Sequence, residues 1–297
     1  MQGSLTIFDL CQLVGVSRAS YYRRWQQRKP TEEEMAVRDR VQWLALKHRY
    51  YGYRRISRLL RREGWVINHK RVLRLMREDN LLSLRRRKFV VTTDSTHSWQ
   101  VYPNLARTMQ LSGINQLWVA DITYVRLQQE FIYLAVIVDV YSRRVVGWNL
   151  SRQLDSGLAQ QALDMALEQR RPAPGLVHHS DRGVQYACGE YIKRLETGGI
   201  TISMSRPGNP YDNAWAESFM KTLKAEAVDG RRYRNFNDAR SSIRTFIEDV
   251  YNPQRLHSAL EYRSPIEFEA GLKTATASEF PRRSVRGGSD ATVDGRR

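Results

Sequence analysis

Between residues 117 and 150 the chain reads LWVADITYVRLQQEFIYLAVIVDVYSRRVVGWNL. Three runs rich in β-branched and aromatic side chains, 117–125, 131–138 and 144–150, are separated by short polar stretches. That pattern predicts three strands in an antiparallel meander, with the unbroken apolar run 131–138 suited to a central position. Downstream, Leu158, Ala162, Met165 and Ala166 form one stripe of a helix over about 156–169. A strand at 176–180, a helix over about 187–196 ended by Gly198 and Gly199, and a strand at 200–204 complete the series. Three strands, helix, strand, helix, strand predicts an α/β domain: a five-stranded mixed sheet with flanking helices.

Within that frame the acidic residues stand out. Asp121 interrupts the first strand among residues that are otherwise apolar, and an ionised carboxylate there is costly unless it is paired or bound to a cation. Asp181 follows the strand at 176–180. Neighbouring strands lie about 4.8 Å apart, so two carboxylates on adjacent strands can converge on one ion. Glu217 lies in a helix after the Gly208-Asn209-Pro210 turn, with Asp212 as its expected N-cap and Phe219 and Leu223 on its buried side. Two Asp and one Glu offer the hard oxygens that Mg²⁺ or Mn²⁺ takes. Such a trio suits two ions about 3.5–4 Å apart, the arrangement that serves phosphoryl transfer. Lys221 and Lys224 follow Glu217 at i+4 and i+7 on the same helical face. They read either as a grip on phosphates or as a solvated face with a Glu–Lys pair. His178 and His179, just before Asp181, are candidate accessory groups or hydrogen-bonded strand-end residues. Asp139 is a further candidate near the site, better suited to a turn or an ion pair. Arg255 and His257 have no role that residue chemistry assigns.

The N-terminal region has a different character. Residues 1–113 hold 23 basic and 9 acidic side chains, out of 48 and 31 in the 297-residue chain. The total net charge of +17 is thus concentrated at one end, the footprint of a polyanion partner. Residues 6–25 read as helix, turn, helix, with Gly15 at the turn and Ser17 as a cap, either a DNA reader or a plain helical hairpin. Thr31 and Glu34 make a capping box for the next helix. A second bihelical unit follows, with Ile56, Leu59 and Leu60 inward on one helix and Val72, Leu75 and Met76 on the other. Arg54, Arg55, Arg58, Lys70, Arg71 and Arg74 fall on the outer faces as candidate DNA contacts. Acidic residues at i+4 are nearly absent, so these arginines are expected to stay out of salt bridges. Arg85, Arg86, Arg87 and Lys88 open a linker over 83–113 and either follow a phosphate backbone or merely connect domains. The boundaries expected are a hairpin at 1–30, a basic helix-turn-helix domain at 31–82, the linker, a catalytic domain at 114–272 and a tail at 273–297.

Composition narrows the classes further. The net charge excludes an acidic solubiliser, and the longest apolar run, 131–138, is far short of the ~20 residues of a spanning helix. Nothing at the start of the chain resembles an export signal, so a cytoplasmic protein is expected. Cys11 and Cys188 stand apart without a CxxC pair, which excludes a zinc knuckle or a disulfide scaffold.

Asp181 and Glu217 are separated by 35 residues. With the words WVADITYV, VDVYSRRVVGW, HHSDRGVQY, GNPYDNAWAESFMKTLKAE and YNPQRLHSALEYRSPIEF, and with YGYRRI and VLRLMRE upstream, the chain over about residues 30–270 closely resembles OrfB-type transposases of the IS3 family of insertion sequences. Retroviral integrases share the same acid spacing. The resemblance implies an RNase H-like core and a bacterial protein acting at the nucleoid. It implies Asp121, Asp181 and Glu217 as ligands of two divalent ions, and cleavage and joining of DNA at the element's terminal inverted repeats and at target DNA. Lysines placed like Lys221 and Lys224 hold DNA in related integrases. The resemblance also implies an assembly of at least two copies, and a partnership with the upstream OrfA product, separate or as an OrfAB fusion, that supplies a leucine zipper. This chain has no heptad stretch of its own to serve as one. A non-catalytic DNA-binding regulator and an RNase H-like nuclease are the alternative readings.

Overall fold

The computed structural model describes residues 6–25, 31–83, 100–206, 210–229 and 231–279, and the chain divides into two compact units, Met1–Leu84 and Arg85–Arg297. The first unit is all helical. Helices α1 (Ile7–Leu13) and α2 (Arg18–Trp25) meet at Gly15, whose φ of +67° only glycine adopts freely. The Ser17 hydroxyl accepts the Ser20 amide at 3.1 Å. Cys11 is the buried residue of α1, while Ile7, Leu10 and Leu13 are exposed, so the apolar positions of this helix do not form the inner stripe their spacing suggests.

Helix α3 (Glu32–Lys47) starts at the Thr31–Glu34 capping box, both bonds 3.2 Å. Helix α4 (Tyr53–Arg62) ends at Gly64, φ +89°, and α5 (His69–Glu78) is capped by Asn68, whose side chain accepts the Lys70 amide at 2.9 Å. Val37, Val41, Leu44, Ile56, Leu60, Val72, Leu75 and Met76 form the buried interior. Arg40 donates twice to Glu63, both at 2.6 Å, tying α3 to the end of α4. The expectation of unpaired arginines is corrected: Arg54 donates to the Tyr53 hydroxyl at 3.2 Å, Arg55 lies over the Tyr51 ring, and Arg74 pairs with Glu78 one turn on and Arg71 with Glu34, each at 3.6 Å. Both pairs are exposed and long, the kind that binds weakly and gives way to a phosphate. Arg54, Arg58 and Lys70 lie exposed on the outer faces, with Arg55 partly so. Arg85, Arg86, Arg87 and Lys88 lie outside the described residues.

The second unit is built on β1 (Leu117–Arg126), β2 (Phe131–Asp139) and β3 (Val145–Ser151), followed by α6 (Ser156–Arg170), β4 (Val177–Ser180), α7 (Val184–Ala187), α8 (Gly189–Thr197) and β5 (Thr201–Met204). The sheet order is β3-β2-β1-β4-β5. The first three strands are antiparallel, as the meander predicts, while β4 and β5 run parallel to β1. Helices α6, α7 and α8 cover one face, against Trp118, Ala120, Ala135 and Ile137. The other face carries α9 (Ala214–Leu223), α10 (Phe236–Thr245) and the short α11 (Asn252–Gln254), against Val119, Val125, Leu134 and Val136. Single π-helical stretches, 224–228 and 246–251, follow α9 and α10.

Two boundaries differ from expectation. Residues 100–113 are not a free connector: Ala106 is buried, Leu105, Met109 and Leu111 pack on the core, and the Leu105 amide donates to Ser203 Oγ at 2.9 Å. These apolar residues within a polar stretch were the available signal. At the other end α12 (Pro265–Glu279) carries the helix into the segment read as a tail, because 273–279, KTATASE, contains neither Gly nor Pro to stop it. Among the described residues no helix is long and apolar enough to cross a membrane.

The contact between β3 and α6 depends on Gly147. A Cβ there would stand 2.1 Å from the Ala162 carbonyl oxygen and 2.9 Å from Ala166 Cβ, so helix backbone touches strand backbone directly. Gly147→Ala is expected to destabilise the protein by about 1–3 kcal/mol, the usual range for overpacking, measured by denaturant unfolding. An unchanged midpoint would contradict this packing.

Candidate active site

The parallel register pairs Leu117 with Val177, Trp118 with His178 and Val119 with His179. Continuing it by two residues brings Asp181, just past the end of β4, level with Asp121 in the middle of β1, on the same face. This is the junction where β1 has an antiparallel neighbour on one side and a parallel one on the other, a usual place for a site in an open α/β sheet. The Asp181 Oδ1 accepts the Gly183 amide at 3.0 Å, which turns the chain into α7 and fixes the carboxylate.

Glu217 comes from the first turn of α9, whose Ala216, Phe219, Met220 and Leu223 are buried against the sheet. Asp212 does not cap this helix as expected. It is buried and gripped by Arg206, whose Nε, Nη2 and backbone amide each donate to it at 3.0 Å. A charge-assisted fork outcompetes a single cap bond, and the Arg206 hydrogen bond holds the Asp212 carboxyl well below the usual range. The residue that docks the helix is Asn213, whose Nδ2 donates to the Ala120 carbonyl, beside Asp121, at 3.1 Å. Sequence reading missed it because its partner is 93 residues away.

The electrostatics tie the three acids together. Desolvation, then the Asp181 charge, with Glu217 adding to both, pushes the Asp121 carboxyl up to about 8; the Ile122 amide and Lys224 oppose this. The Lys221 ammonium lies 3.3 Å from Glu217 Oε2. The Lys224 ammonium lies 4.6 Å over the Tyr124 ring. Among the described residues no three His, Cys, Asp or Glu side chains already stand in a metal-holding cluster. The donor chemistry nonetheless fits a divalent cation: two Asp and one Glu, and one carboxyl that burial and its neighbours leave short of compensation.

The other candidates sit deeper. His178 is buried, its Nε2 3.0 Å from the Tyr191 hydroxyl, and burial pushes it down to about 3. His179 is held between Ser203 Oγ at 2.8 Å and Ser205 Oγ at 3.1 Å, and burial pushes it down to about 4. Both rings are neutral and tie β4 to its surroundings. Asp139 is fully buried and accepts the amides of Asn115 at 2.6 Å and Ser142 at 2.8 Å, which shapes the turn after β2. Arg255 is buried against Glu226 at 2.8 Å and His257 stacks edgewise on Tyr251. With the 4.8 Å contact of Tyr251 and Phe219, they brace the back of α9.

A five-stranded mixed sheet of this order with helices on both faces is the frame of a polynucleotidyl transferase of the integrase-core class, with an RNase H-like α/β fold. Residues 112–210 and 198–265 match models described as Integrase core domain, and residues 32–89 match the HTH-like domain. The chain belongs to the IS3 family of insertion-sequence transposases. It is 34% identical over 274 residues to the transposase InsF for insertion sequence IS3A of Escherichia coli K12, covering 90% of this chain and 95% of that one. It is 42% identical over 265 residues to the insertion element IS600 uncharacterized 31 kDa protein of Shigella sonnei, covering 87% and 97%. Among solved structures, the catalytic core domain of BIV integrase matches at 17% identity and a TM-score of 0.40, covering 55% of this chain and 99% of that one.

Because Asp121 has a folded-state value above its ordinary 3.8, its contribution to stability is complete below 3.8 and is lost as the pH climbs toward 8. Asp121→Asn is therefore expected to raise the thermal midpoint of the metal-free protein above pH 8, with the gain shrinking steadily toward pH 4. A gain constant across that range would contradict the crowding of the three acids.

Proposed function

We propose that Asp121, Asp181 and Glu217 are the catalytic acids of a DNA transposase that cleaves insertion-sequence ends and joins them to target DNA, using two Mg²⁺ or Mn²⁺ ions. The observation that carries this reading is the parallel β1–β4 register, which sets Asp181 level with Asp121 where burial first, and the neighbouring acids second, raise the proton affinity of Asp121, a burden that a divalent cation relieves. Bound ions would supply activation of the attacking oxygen and neutralisation of charge on the departing one. The chain's part is positioning. The β1–β4 register holds the two aspartates side by side, and Asn213 sets the height of Glu217 above them. The attacking group is water in cleavage and a DNA 3′-hydroxyl in joining. Neither step needs a covalent bond to the protein.

Lys221 and Lys224 would exchange their present partners for phosphates flanking the scissile bond. Arg54, Arg55, Arg58, Lys70, Arg71 and Arg74 on the helical unit, with Arg85, Arg86, Arg87 and Lys88 after it, would hold the terminal inverted repeat farther out. Bringing two ends together takes at least two copies, and the OrfA product, alone or as an OrfAB fusion, would supply the zipper. Work on chromosomal and element DNA would set the protein at the bacterial nucleoid.

The test incubates the chain with labelled element-end DNA and Mg²⁺. Nicking followed by strand joining is the expected result; cutting without joining supports a nuclease, and binding alone a regulator. Asp121→Asn and Glu217→Gln should each lose both reactions by roughly a thousandfold or more, several kcal/mol of transition-state stabilisation, and retain binding. Activity in either variant would overturn the assignment.

A further inference from the structure

Helix α3 has two faces, and the fold accounts for one of them. Val37, Val41, Leu44 and Ala45 are buried against α4 and α5. At about 3.6 residues per turn the opposite side carries Glu32, Met35, Asp39, Trp43 and Leu46, all of them exposed. Trp43 is 46% exposed and Leu46 60%. The indole does not hang free: the Arg40 guanidinium lies 4.0 Å and the Lys47 ammonium 4.7 Å from its ring centre, and Arg40 is itself held by its fork to Glu63. A large ring fixed in the open beside Met35 and Leu46 is the kind of rigid aromatic anchor on which protein interfaces are built.

The charges on this helix are sorted along its length. Glu32 and Glu33 stand in the first turn, Lys47 in the last and Arg49 just beyond it, all exposed. Glu32, Glu33, Asp39 and Arg49 make no ion pair among the described residues. We infer that this face is where a second copy of the chain docks, α3 against α3 in antiparallel order about a two-fold axis crossing the middle of the helix. That arrangement sets Glu32 and Glu33 of each copy level with Lys47 and Arg49 of the other and opposes the two helix dipoles. It also seats Met35 beside Leu46 of the second copy, with the two Trp43 rings near the axis. A parallel pairing puts like charge on like. Nucleic acid is the wrong occupant, since the carboxylates of Glu32, Glu33 and Asp39 repel phosphate. An apolar middle with acid at one end and base at the other matches its own copy turned around, which is what an isologous contact requires. A transposase acting on two ends works with at least two copies, and this face gives them a place to meet; the inference rests on that reading for the purpose of the pairing alone.

The test measures self-association of the full chain by sedimentation equilibrium without DNA. A dimer in the micromolar range is expected, and Trp43→Ala should weaken it about tenfold or more. Glu32→Lys with Glu33→Lys should weaken it as well, and so should Lys47→Glu with Arg49→Glu. Mixing these two charge variants should restore pairing, which a misfolded chain would not do. A parent that stays monomeric across the micromolar range overturns the interface, as does a dimer indifferent to Trp43→Ala, or charge variants that do not rescue one another. A Trp43→Ala chain that loses DNA binding while pairing as before gives the face to nucleic acid and also overturns it. None of these results touches the acid triad, whose reading falls only if labelled element ends with Mg²⁺ are neither nicked nor joined.

Discussion

Like charges resist being gathered, and the second unit buries Asp121 within the field of Asp181 and Glu217. Asp121, Asp181 and Glu217 come from a strand middle, a strand end and a helix first turn, and each is fixed by a different kind of contact. The backbone ladder of β1 and β4 fixes the aspartates. The Gly183 amide bond orients Asp181, and the Asn213 bond to the Ala120 carbonyl seats the helix that carries Glu217. None of these contacts is made by the carboxylates with one another, so the scaffold bears the repulsion.

Much of the remaining structure keeps that scaffold from relaxing. Behind α9, Phe219, Tyr251 and His257 stack in sequence and the buried Arg255–Glu226 pair locks the π-helical stretch after the helix. At the far edge Asn252 makes two bonds at 3.0 Å to the backbone of Val145, and Glu269 receives Arg170 and Arg144, three bonds of 2.7–2.8 Å. Removing one partner from such a buried pair leaves an uncompensated charge, so these residues hold the far edge of the sheet to α6 and α12. The helical unit is organised differently, by apolar packing and by pairs such as Arg40–Glu63 on its surface.

The sheet was legible in the sequence because its signals are local: β-branched runs punctuated by polar turns gave all five strands and their order of appearance. That Asp181 lies level with Asp121 was legible too, since adjacent parallel strands set residues in register. What escaped reading depends on partners far apart or in competition. Asp212 has the chemistry of a cap, yet Arg206 offers it three bonds where the helix offers one or two. Asn213, Asn252 and Glu269 reach across the fold to residues that no spacing rule connects. The π-helical stretches after α9 and α10 carry no pattern distinct from an ordinary helix.

The most direct measurement is the anomalous scattering of Mn²⁺ from a crystal of the chain bound to element-end DNA. The account predicts two peaks about 3.5–4 Å apart, held by Asp121, Asp181 and Glu217 beside the scissile phosphate. Three carboxylates turned away from one another, with no peak among them while DNA is in place, would contradict it.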